Sequence, residues 1–294
     1  MRITENLLSK QTLQDINDIL RRYTELNSQL TSGKKYRYPS DNAAVVSKVS
    51  NLDSRLREIE RYTSNIQTAK NYVNMYDTSI QEISSIFYRI KELAVSGAHG
   101  TLSVEDRNAI TEELDKINTH LVSIANTEIG GNYIFGGAQN NKKVVTDDFE
   151  ITVPPSANVR NKISLADQEI EYGVTVYDVF VTDSGASVFG IINRLSKAIG
   201  SGDNDSIQKE LGNIDEIQTK SLNSLAKVGS VERMFEMTLK RMGDFDSFTT
   251  EFLSKESDAD LAEVIMQLSM QQTILQAALK AASSIIPPTL VDFI

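Results

Sequence analysis

The side chains best suited to chemistry are few and lie far apart in the sequence. The chain has two histidines, His99 and His120, and no cysteine. Neither histidine has a second histidine or a carboxylate at ligand spacing on the same face, so we interpret both as surface residues. The absence of cysteine excludes disulfides, thiolate nucleophiles and cysteine-ligated metals. We therefore expect no enzyme, no metal site and no cofactor.

Two short motifs resemble ligand sites but lack an essential residue. Gly131 and Gly136 have the spacing of a phosphate-binding loop, but Gly137 stands where the lysine is needed, and the motif follows a predicted helix rather than a strand. Asp203 and Asp205 begin like a calcium loop, but the later glycine and glutamate are missing, so we interpret them as helix caps. Catalysis would need a site in residues 140–187, and the sequence shows none there.

A basic and aromatic run, KKYRY, occupies residues 34–38. Cations interleaved with tyrosines occur in some RNA-binding loops. The chain as a whole carries a net charge of −10, and a nucleic-acid surface needs clustered cations that release counterions. We therefore predict no nucleic-acid partner and interpret the run as a linker that contacts acidic neighbours.

Composition and hydropathy limit the architecture and the location. Hydrophobic residues make up 40% of the chain, and tryptophan is absent, which favours a thin, elongated core. No run of 18 apolar residues occurs, so we predict no membrane-spanning segment. Glu5, Lys10 and Asp15 come too early for the apolar region of a signal peptide, so export would have to proceed without a cleaved signal.

Helical periodicity dominates the sequence. Ser103 and Asp106 form a candidate capping box before one helix. Gly212, Gly229 and Gly243 predict kinks or breaks in another. A shorter helix is predicted at 188–199. The long predicted helices are 4–30, 42–95, 104–127, 206–253 and 259–286.

Residues 144–181 have a different pattern. FEITV and EYGVTVYDVFV alternate apolar and polar residues, and Pro154 with Pro155 predicts a turn, so we predict a small β-rich insert. The predicted fold is mainly α. It is a long antiparallel helical rod with paired N- and C-terminal coiled-coil helices and a small β-rich insert.

The terminal helices each carry an apolar stripe that they cannot bury alone. The last helix has only Glu263 and Lys280 as charged residues between positions 261 and 286, and a helix apolar on nearly all sides is normally buried. We expect the two ends to pack together and to need further copies of the chain as partners. The predicted assembly residues are Ile16, Ile19, Tyr23, Leu26, Leu30, Leu261, Ile265, Leu268, Leu275, Leu279 and Ile286.

A neutral-polar line follows the last helix at a spacing of three or four residues. It consists of Gln272, Gln276, Lys280 and Ser283. The line is either a solvated edge or the lining of a water-filled channel in an assembly.

Several segments together are similar to the flagellin superfamily. They are LTSGKKYRYPSDNAA, then ELAVSGAHGTLSVEDRNAITEELDKINTHLVSIANTEIGGNYIFGGAQ, and SDADLAEVIMQLSMQQTILQAALKAASSIIPPTLVDFI near the other end. The resemblance covers residues 1–139 and 191–294. It implies paired terminal helices, disordered in the monomer, at 1–40 and 255–294. It also implies a helical domain at 41–139 and 188–254, and an outer insert at 140–187.

The resemblance also implies a role and a location. It implies an extracellular subunit of the bacterial flagellum, exported through the flagellar secretion channel without cleavage and held by an export chaperone beforehand. Gly130 and Gly131 would end a helix where the chain reverses. Gly136 and Gly137 would permit tight turns, and residues 133–135 would form a short strand.

The MRIT start, GNYIFGG and TLVDFI are similar to members of the family that join the hook to the filament. That role implies self-assembly, with a neighbouring hook-associated protein and flagellin as further partners. Two alternatives remain: a filament subunit, which is flagellin itself, and an intracellular coiled-coil adaptor from a different class.

Overall fold

The computed structural model describes residues 2–99, 102–165 and 168–285, and most of them are helical. The helices are α1 (Arg2–Ser32), α2 (Ala43–Gly97), α3 (Val104–Ala125), α4 (Val176–Val179), α5 (Val188–Ser201), α6 (Asn204–Ser257) and α7 (Leu261–Ile285). The strands are β1 (Glu128–Ile129), β2 (Asn132–Tyr133), β3 (Lys162–Leu165) and β4 (Gln168–Glu171). None of the described helices is long and apolar enough to cross a membrane.

The chain divides into two compact units. The terminal unit comprises Met1–Ile59 and Gly243–Ile294, and the central unit comprises Glu60–Met242. In the terminal unit, α1 packs against α7, as predicted for the two ends of the chain. The first part of α2 and the last part of α6 also belong to this unit, where the Lys48 ammonium lies 2.7 Å from the Glu256 carboxylate.

The central unit contains the main hydrophobic core. Its antiparallel helices are tied by ion pairs: Arg89 to Glu113 between α2 and α3, and Lys70 to Glu236 between α2 and α6. Bulky side chains from all parts of the unit meet in this core. The largest fully buried ones include Tyr76, Phe87, Phe135, Phe180, Phe189 and Phe235.

The long helices match the predicted segments to within a few residues. The capping box is present, because the Ser103 hydroxyl accepts a hydrogen bond from the amide of Asp106. The breaks predicted at glycines in α6 were wrong, since the helix is continuous from Asn204 to Ser257, and kinks at those glycines stay a prediction. A glycine in a helix interior is worse than alanine by about 1 kcal/mol, and burial of α6 residues such as Ile214 and Phe235 offsets that loss.

The insert contains less strand than the sequence predicts. Among its described residues, the four-residue strands β3 and β4 pair antiparallel, and Val145 forms an isolated antiparallel bridge with Ile151. The strand predicted through EYGVTVYDVFV was wrong after Glu171, because Val176–Val179 form the helical turn α4. The Asp178 carboxylate accepts hydrogen bonds from the Thr175 amide and hydroxyl, at 3.0 and 2.9 Å. This capping arrangement stabilises a helix start despite the alternating pattern.

An ion pair also fixes α4 within the central unit. The Arg160 guanidinium donates two hydrogen bonds to Asp178, at 2.7 and 3.2 Å. Burial by itself raises the pKa of the Asp178 carboxyl, but the bonds from Arg160 and Thr175 outweigh it and leave the pKa below its ordinary value. The folded insert therefore favours the ionised carboxylate.

The glycine-rich motif forms a turn of a different kind from the one predicted. Helix α3 ends at Ala125, with Asn126 as its C-cap, so Gly130 and Gly131 do not end it. They connect β1 to β2, with φ values of 59° and 82°, and a two-residue hairpin turn of type I′ needs positive φ at both positions. The strand predicted over 133–135 stops at Tyr133, and a 3₁₀ helix, Ile134–Gln139, follows.

The second glycine pair lies inside this 3₁₀ segment, where Gly136 and Gly137 are both buried. Gly137 has a φ of 57°, and a Cβ there would lie 2.8 Å from the carbonyl oxygen of Ala157. Both the positive φ and the close approach of the backbone therefore require glycine at position 137.

Candidate assembly interface

The contact between α1 and α7 is a narrow seam. From α1, Ile16 is buried, and Ile19, Tyr23, Leu26 and Leu30 are half-buried. This spacing of three and four residues is that of a coiled-coil seam.

The least exposed residues of α7 have the same spacing of three and four residues. Val264, Gln271 and Ala282 are buried, and Leu268 and Leu275 between them are half-buried. The Gln271 side chain donates a hydrogen bond to the carbonyl oxygen of Ile19, at 3.3 Å. These residues therefore mark the side of α7 that faces α1.

Much of the apolar surface of α7 remains exposed. Large side chains on its other faces are between 41% and 67% exposed. Scattered single apolar residues are normal on protein surfaces, whereas a group along one helix indicates an interaction site. The group comprises Leu261, Ile265, Met266, Met270, Ile274 and Leu279.

The predicted stripe on α7 therefore contains residues of two kinds. Leu268 and Leu275 lie on the side that faces α1, while Leu261, Ile265 and Leu279 are exposed. Ile286 lies outside the described residues. Sequence reasoning did not include Val264, Met266, Met270 or Ile274 among the assembly residues. The spacing of Val264, Leu268, Gln271 and Leu275 could have indicated the seam, but the polar glutamine obscured it.

The neutral-polar line is exposed along its whole length. Gln272, Gln276, Lys280 and Ser283 are all exposed. The Ser283 hydroxyl donates a hydrogen bond to the carbonyl oxygen of Lys280. Exposure in a single chain is compatible with a solvated edge and with a channel lining, so both interpretations stay predictions.

The loop between α1 and α2 is bonded to the short segment that joins α6 to α7. The Gly33 carbonyl oxygen accepts a bond from the Ala259 amide, at 2.9 Å, and the Lys35 amide donates to the carbonyl oxygen of Ser257, at 2.7 Å. The Lys34 ammonium lies 2.8 Å from the Asp258 carboxylate. That bond, with one from Ser254, lowers the pKa of Asp258 below its ordinary value.

The same loop is closed by a carboxylate. One oxygen of Asp41 accepts hydrogen bonds from the amides of Tyr38 and Arg37, at 3.0 and 3.1 Å. The bond from Tyr38 is the main cause of the lowered pKa of Asp41. The turn is therefore held by the loop's own residues.

The remaining chemically suggestive residues lie on exposed surfaces or at a helix start. His99 is exposed, and the ring of His120 lies 2.9 Å from the Glu82 carboxylate on an exposed face. Asp203 accepts a hydrogen bond from the Ser206 amide and so caps α6, as predicted, whereas Asp205 lies inside the first turn of that helix. Across residues 2–99, 102–165 and 168–285, no three histidine or acidic side chains group as metal ligands.

The chain is similar to bacterial flagellar proteins. Residues 3–140 match the model of the bacterial flagellin N-terminal helical region. Flagellar hook-associated protein 3 of Escherichia coli is 22% identical, over 96% of each chain. The protein of the same name from Salmonella typhimurium is 25% identical, over 95% of each chain. A flagellin of Listeria innocua is 22% identical, over 96% of this chain and 95% of that one.

Solved structures share the fold. A flagellar hook-associated protein of Vibrio parahaemolyticus superposes with a TM-score of 0.68 at 17% identity, covering 74% of this chain and all of that one. The helical order, the N-terminal match and the relatives that align along nearly the whole sequence agree with one another. The chain is therefore similar along nearly its whole length to the flagellin superfamily, and in particular to flagellar hook-associated protein 3.

Proposed function

We propose that this chain is a structural subunit of the bacterial flagellum that joins the hook to the filament. The observation that carries the proposal is the exposed apolar surface of α7, on a helix that already packs against α1. One face of each terminal helix packs within the chain, and the other faces are available to contact neighbouring subunits. Subunits assemble through these faces, and the role is mechanical rather than catalytic.

The exposed residues of α7 can supply a useful free energy of assembly. Fully burying a side chain of this size stabilises by about 1.5–3 kcal/mol. Because roughly half of each exposed side chain remains to be buried, each contributes about 1 kcal/mol, and the six together contribute on the order of 5 kcal/mol per subunit. Lost side-chain freedom offsets part of this. A single contact is therefore weak, and a closed ring of contacts is stable.

The terminal segments 1–40 and 255–294 form the assembly part in this proposal. Segments 41–139 and 188–254 form the helical domain, and 140–187 is the outer insert. Because the seam between α1 and α7 buries few side chains, we expect both ends to fray in a dilute monomer. Limited proteolysis tests this: the ends should be cut before the middle, and ends as resistant as the middle contradict the proposal.

The proposed partners are other copies of the chain, a neighbouring hook-associated protein and flagellin. An export chaperone binds the terminal helices before secretion, and the chain reaches the outside of the cell without cleavage. Mass spectrometry of the protein in sheared flagella should therefore give the mass of the uncleaved chain. A shortened N-terminus on the assembled protein contradicts this part of the proposal.

Deletion of the gene tests the junction role directly. Cells without the protein should carry bare hooks and release flagellin into the medium, and the unaltered gene should restore attached filaments. Filaments that remain attached in the deletion strain contradict the proposal. Electron microscopy of the cells and the flagellin content of the medium give independent readings.

A filament subunit is the second candidate, because a flagellin aligns along nearly the whole chain. The number of copies per flagellum separates the two roles. A junction protein should be present in a small, fixed number at the base of the filament, whereas a filament subunit should scale with filament length. Immunogold labelling restricted to the base supports the junction, and labelling along the filament supports a flagellin.

A further inference from the structure

The loop between α1 and α2 presents residue types that dominate protein–protein contacts. We call Lys34, Lys35, Tyr36, Arg37 and Tyr38 the basic loop. Tyr36 and Tyr38 are 39% and 54% exposed. Among the described residues, the Arg37 guanidinium has no carboxylate partner and lies 5.4 Å from the centre of the Tyr38 ring. Tyrosine and arginine are enriched among the residues that contribute most to binding.

The basic loop is organised before any partner arrives. Asp41 fixes the amides of Arg37 and Tyr38. The Lys34 ammonium is held by Asp258, and the Lys35 ammonium donates to the carbonyl oxygen of Lys255, at 2.8 Å. A loop already held in one conformation loses little entropy when it binds. A groove of about 460 Å³ lies between the loop and α1.

A surface of complementary character lies on α6, within the same unit. Phe245 and Phe248 are 51% and 68% exposed, and they stand three residues apart on one face of the helix. Asp244 is four residues before Phe248 and has no cationic partner among the described residues. Glu251 is three residues after Phe248, and its carboxylate pairs with the Lys255 ammonium at 2.6 Å. We call Asp244, Phe245, Phe248 and Glu251 the acidic aromatic ridge.

The Phe248 ring of this ridge packs against other side chains of the same unit. Phe248 stacks on Phe252, with ring centroids 6.2 Å apart and planes 14° apart. The Lys48 ammonium lies 4.5 Å from the centre of the Phe252 ring. Phe248 therefore presents a supported, exposed ring face, and such a face suits an arginine guanidinium.

The two surfaces do not meet within one chain. The basic loop contacts the end of α6, at Lys255, Ser257 and Asp258. At a rise of about 1.5 Å per residue, Phe248 lies roughly 10 Å and Phe245 roughly 15 Å before Lys255 along the helix. Both surfaces are exposed at the same time, so one copy can use its loop and its ridge with different neighbours.

We propose that the basic loop of one copy binds the acidic aromatic ridge of a second copy. The Arg37 guanidinium stacks on Phe248 and pairs with Asp244, and the two tyrosines cover Phe245. The inference rests on the proposed self-assembly and adds a contact separate from the terminal-helix surfaces. Because different surfaces meet, the contact is heterologous, and its repetition gives a ring or a helical array.

Disulfide trapping tests the contact, since the chain has no cysteine of its own. The variants Tyr38→Cys and Phe248→Cys are produced in the same cells, and isolated flagella are oxidised. The expected product is a dimer that joins residue 38 of one copy to residue 248 of another. Tyr88→Cys, on an exposed position of α2, replaces Phe248→Cys in the control and should not link to residue 38. Absence of the 38–248 dimer from assembled flagella overturns the inference, as does a link from either position to a different flagellar protein.

Charge reversal tests the pairing of Arg37 with Asp244. Each variant is produced together with the unaltered chain, and its share in flagella is compared with its share in the secreted pool. Arg37→Glu and Asp244→Arg should each be incorporated at about a tenth of the normal share, as expected for residues at the centre of a contact. The double variant should recover most of the loss when it is the only copy in the cell.

Matched controls separate this inference from the proposed function. Arg233→Glu, an exposed cation on α6 in the central unit, should incorporate normally. Single reversals that also incorporate normally overturn the loop–ridge contact while leaving the junction role intact. If the unaltered chain is itself absent from isolated flagella, the proposed function fails, and the inference fails with it.

Discussion

Replacing Ile265 by serine removes an apolar side chain from the part of α7 that α1 leaves exposed. Ile265 is 51% exposed, whereas Leu268, one turn away, lies on the side of α7 that faces α1. The two positions share one helix and differ in what covers them. Serine and isoleucine have similar helix propensities, so the change at Ile265 tests contact rather than helix formation.

The expected magnitude follows from the area that remains to be buried. Full burial of an isoleucine side chain stabilises by about 1.5–3 kcal/mol, and half of that, about 1 kcal/mol, is available to a neighbouring subunit. A loss of about 1 kcal/mol corresponds to roughly fivefold weaker incorporation. The Leu268→Ser variant should instead loosen the α1–α7 pair by about 1–2 kcal/mol, since part of its side chain is already buried against the chain.

The assay has two readouts. Competitive incorporation into flagella, with the unaltered chain produced in the same cells, reports assembly. Hydrogen exchange of the α1 amides in the isolated protein reports the stability of the helix pair. Ile265→Ser should reduce incorporation about fivefold and leave α1 exchange unchanged, whereas Leu268→Ser should accelerate exchange. Thr273→Ser, at an exposed polar position of α7, is the matched control and should change neither.

Two results would refute this reasoning. Normal incorporation of Ile265→Ser would show that the exposed side of α7 is not an assembly surface. Accelerated exchange of α1 in Ile265→Ser, equal to that in Leu268→Ser, would show that both residues serve the helix pair within one chain.

Two further predictions concern the central unit. Gly137→Ala should destabilise it by at least about 2 kcal/mol, because alanine is strained at positive φ and its Cβ would lie 2.8 Å from the Ala157 oxygen. Gly130→Ala, with positive φ but open space around it, should lose only about 1 kcal/mol in urea unfolding, and equal losses would contradict the steric argument. The lowered pKa of Asp178 predicts a contribution that is fully present above the ordinary carboxyl value of 3.8 and is lost as the pH falls through the lowered pKa. Asp178→Asn should therefore reduce the acid dependence of thermal unfolding below about pH 4, and an unchanged dependence would show that the Arg160 pair does not set it.

The helices and their ends were determined largely by local sequence. Apolar spacing gave the long helices to within a few residues, and Ser103 and Asp203 gave two of their starts. These features can be predicted because a helical period and a cap involve residues only a few positions apart. The continuity of α6 could not be predicted from its glycines, since the burial of residues such as Ile214 and Phe235 comes from distant parts of the chain.

The use of each face of α7 was decided by tertiary structure. A helix apolar on nearly all sides offers several possible seams, and the packing of α1 selects the one at Val264 and Gln271. The pairing of Lys34 with Asp258 joins residues 224 positions apart. Such contacts depend on which distant segments lie side by side in the tertiary structure, and a local sequence pattern does not contain that information.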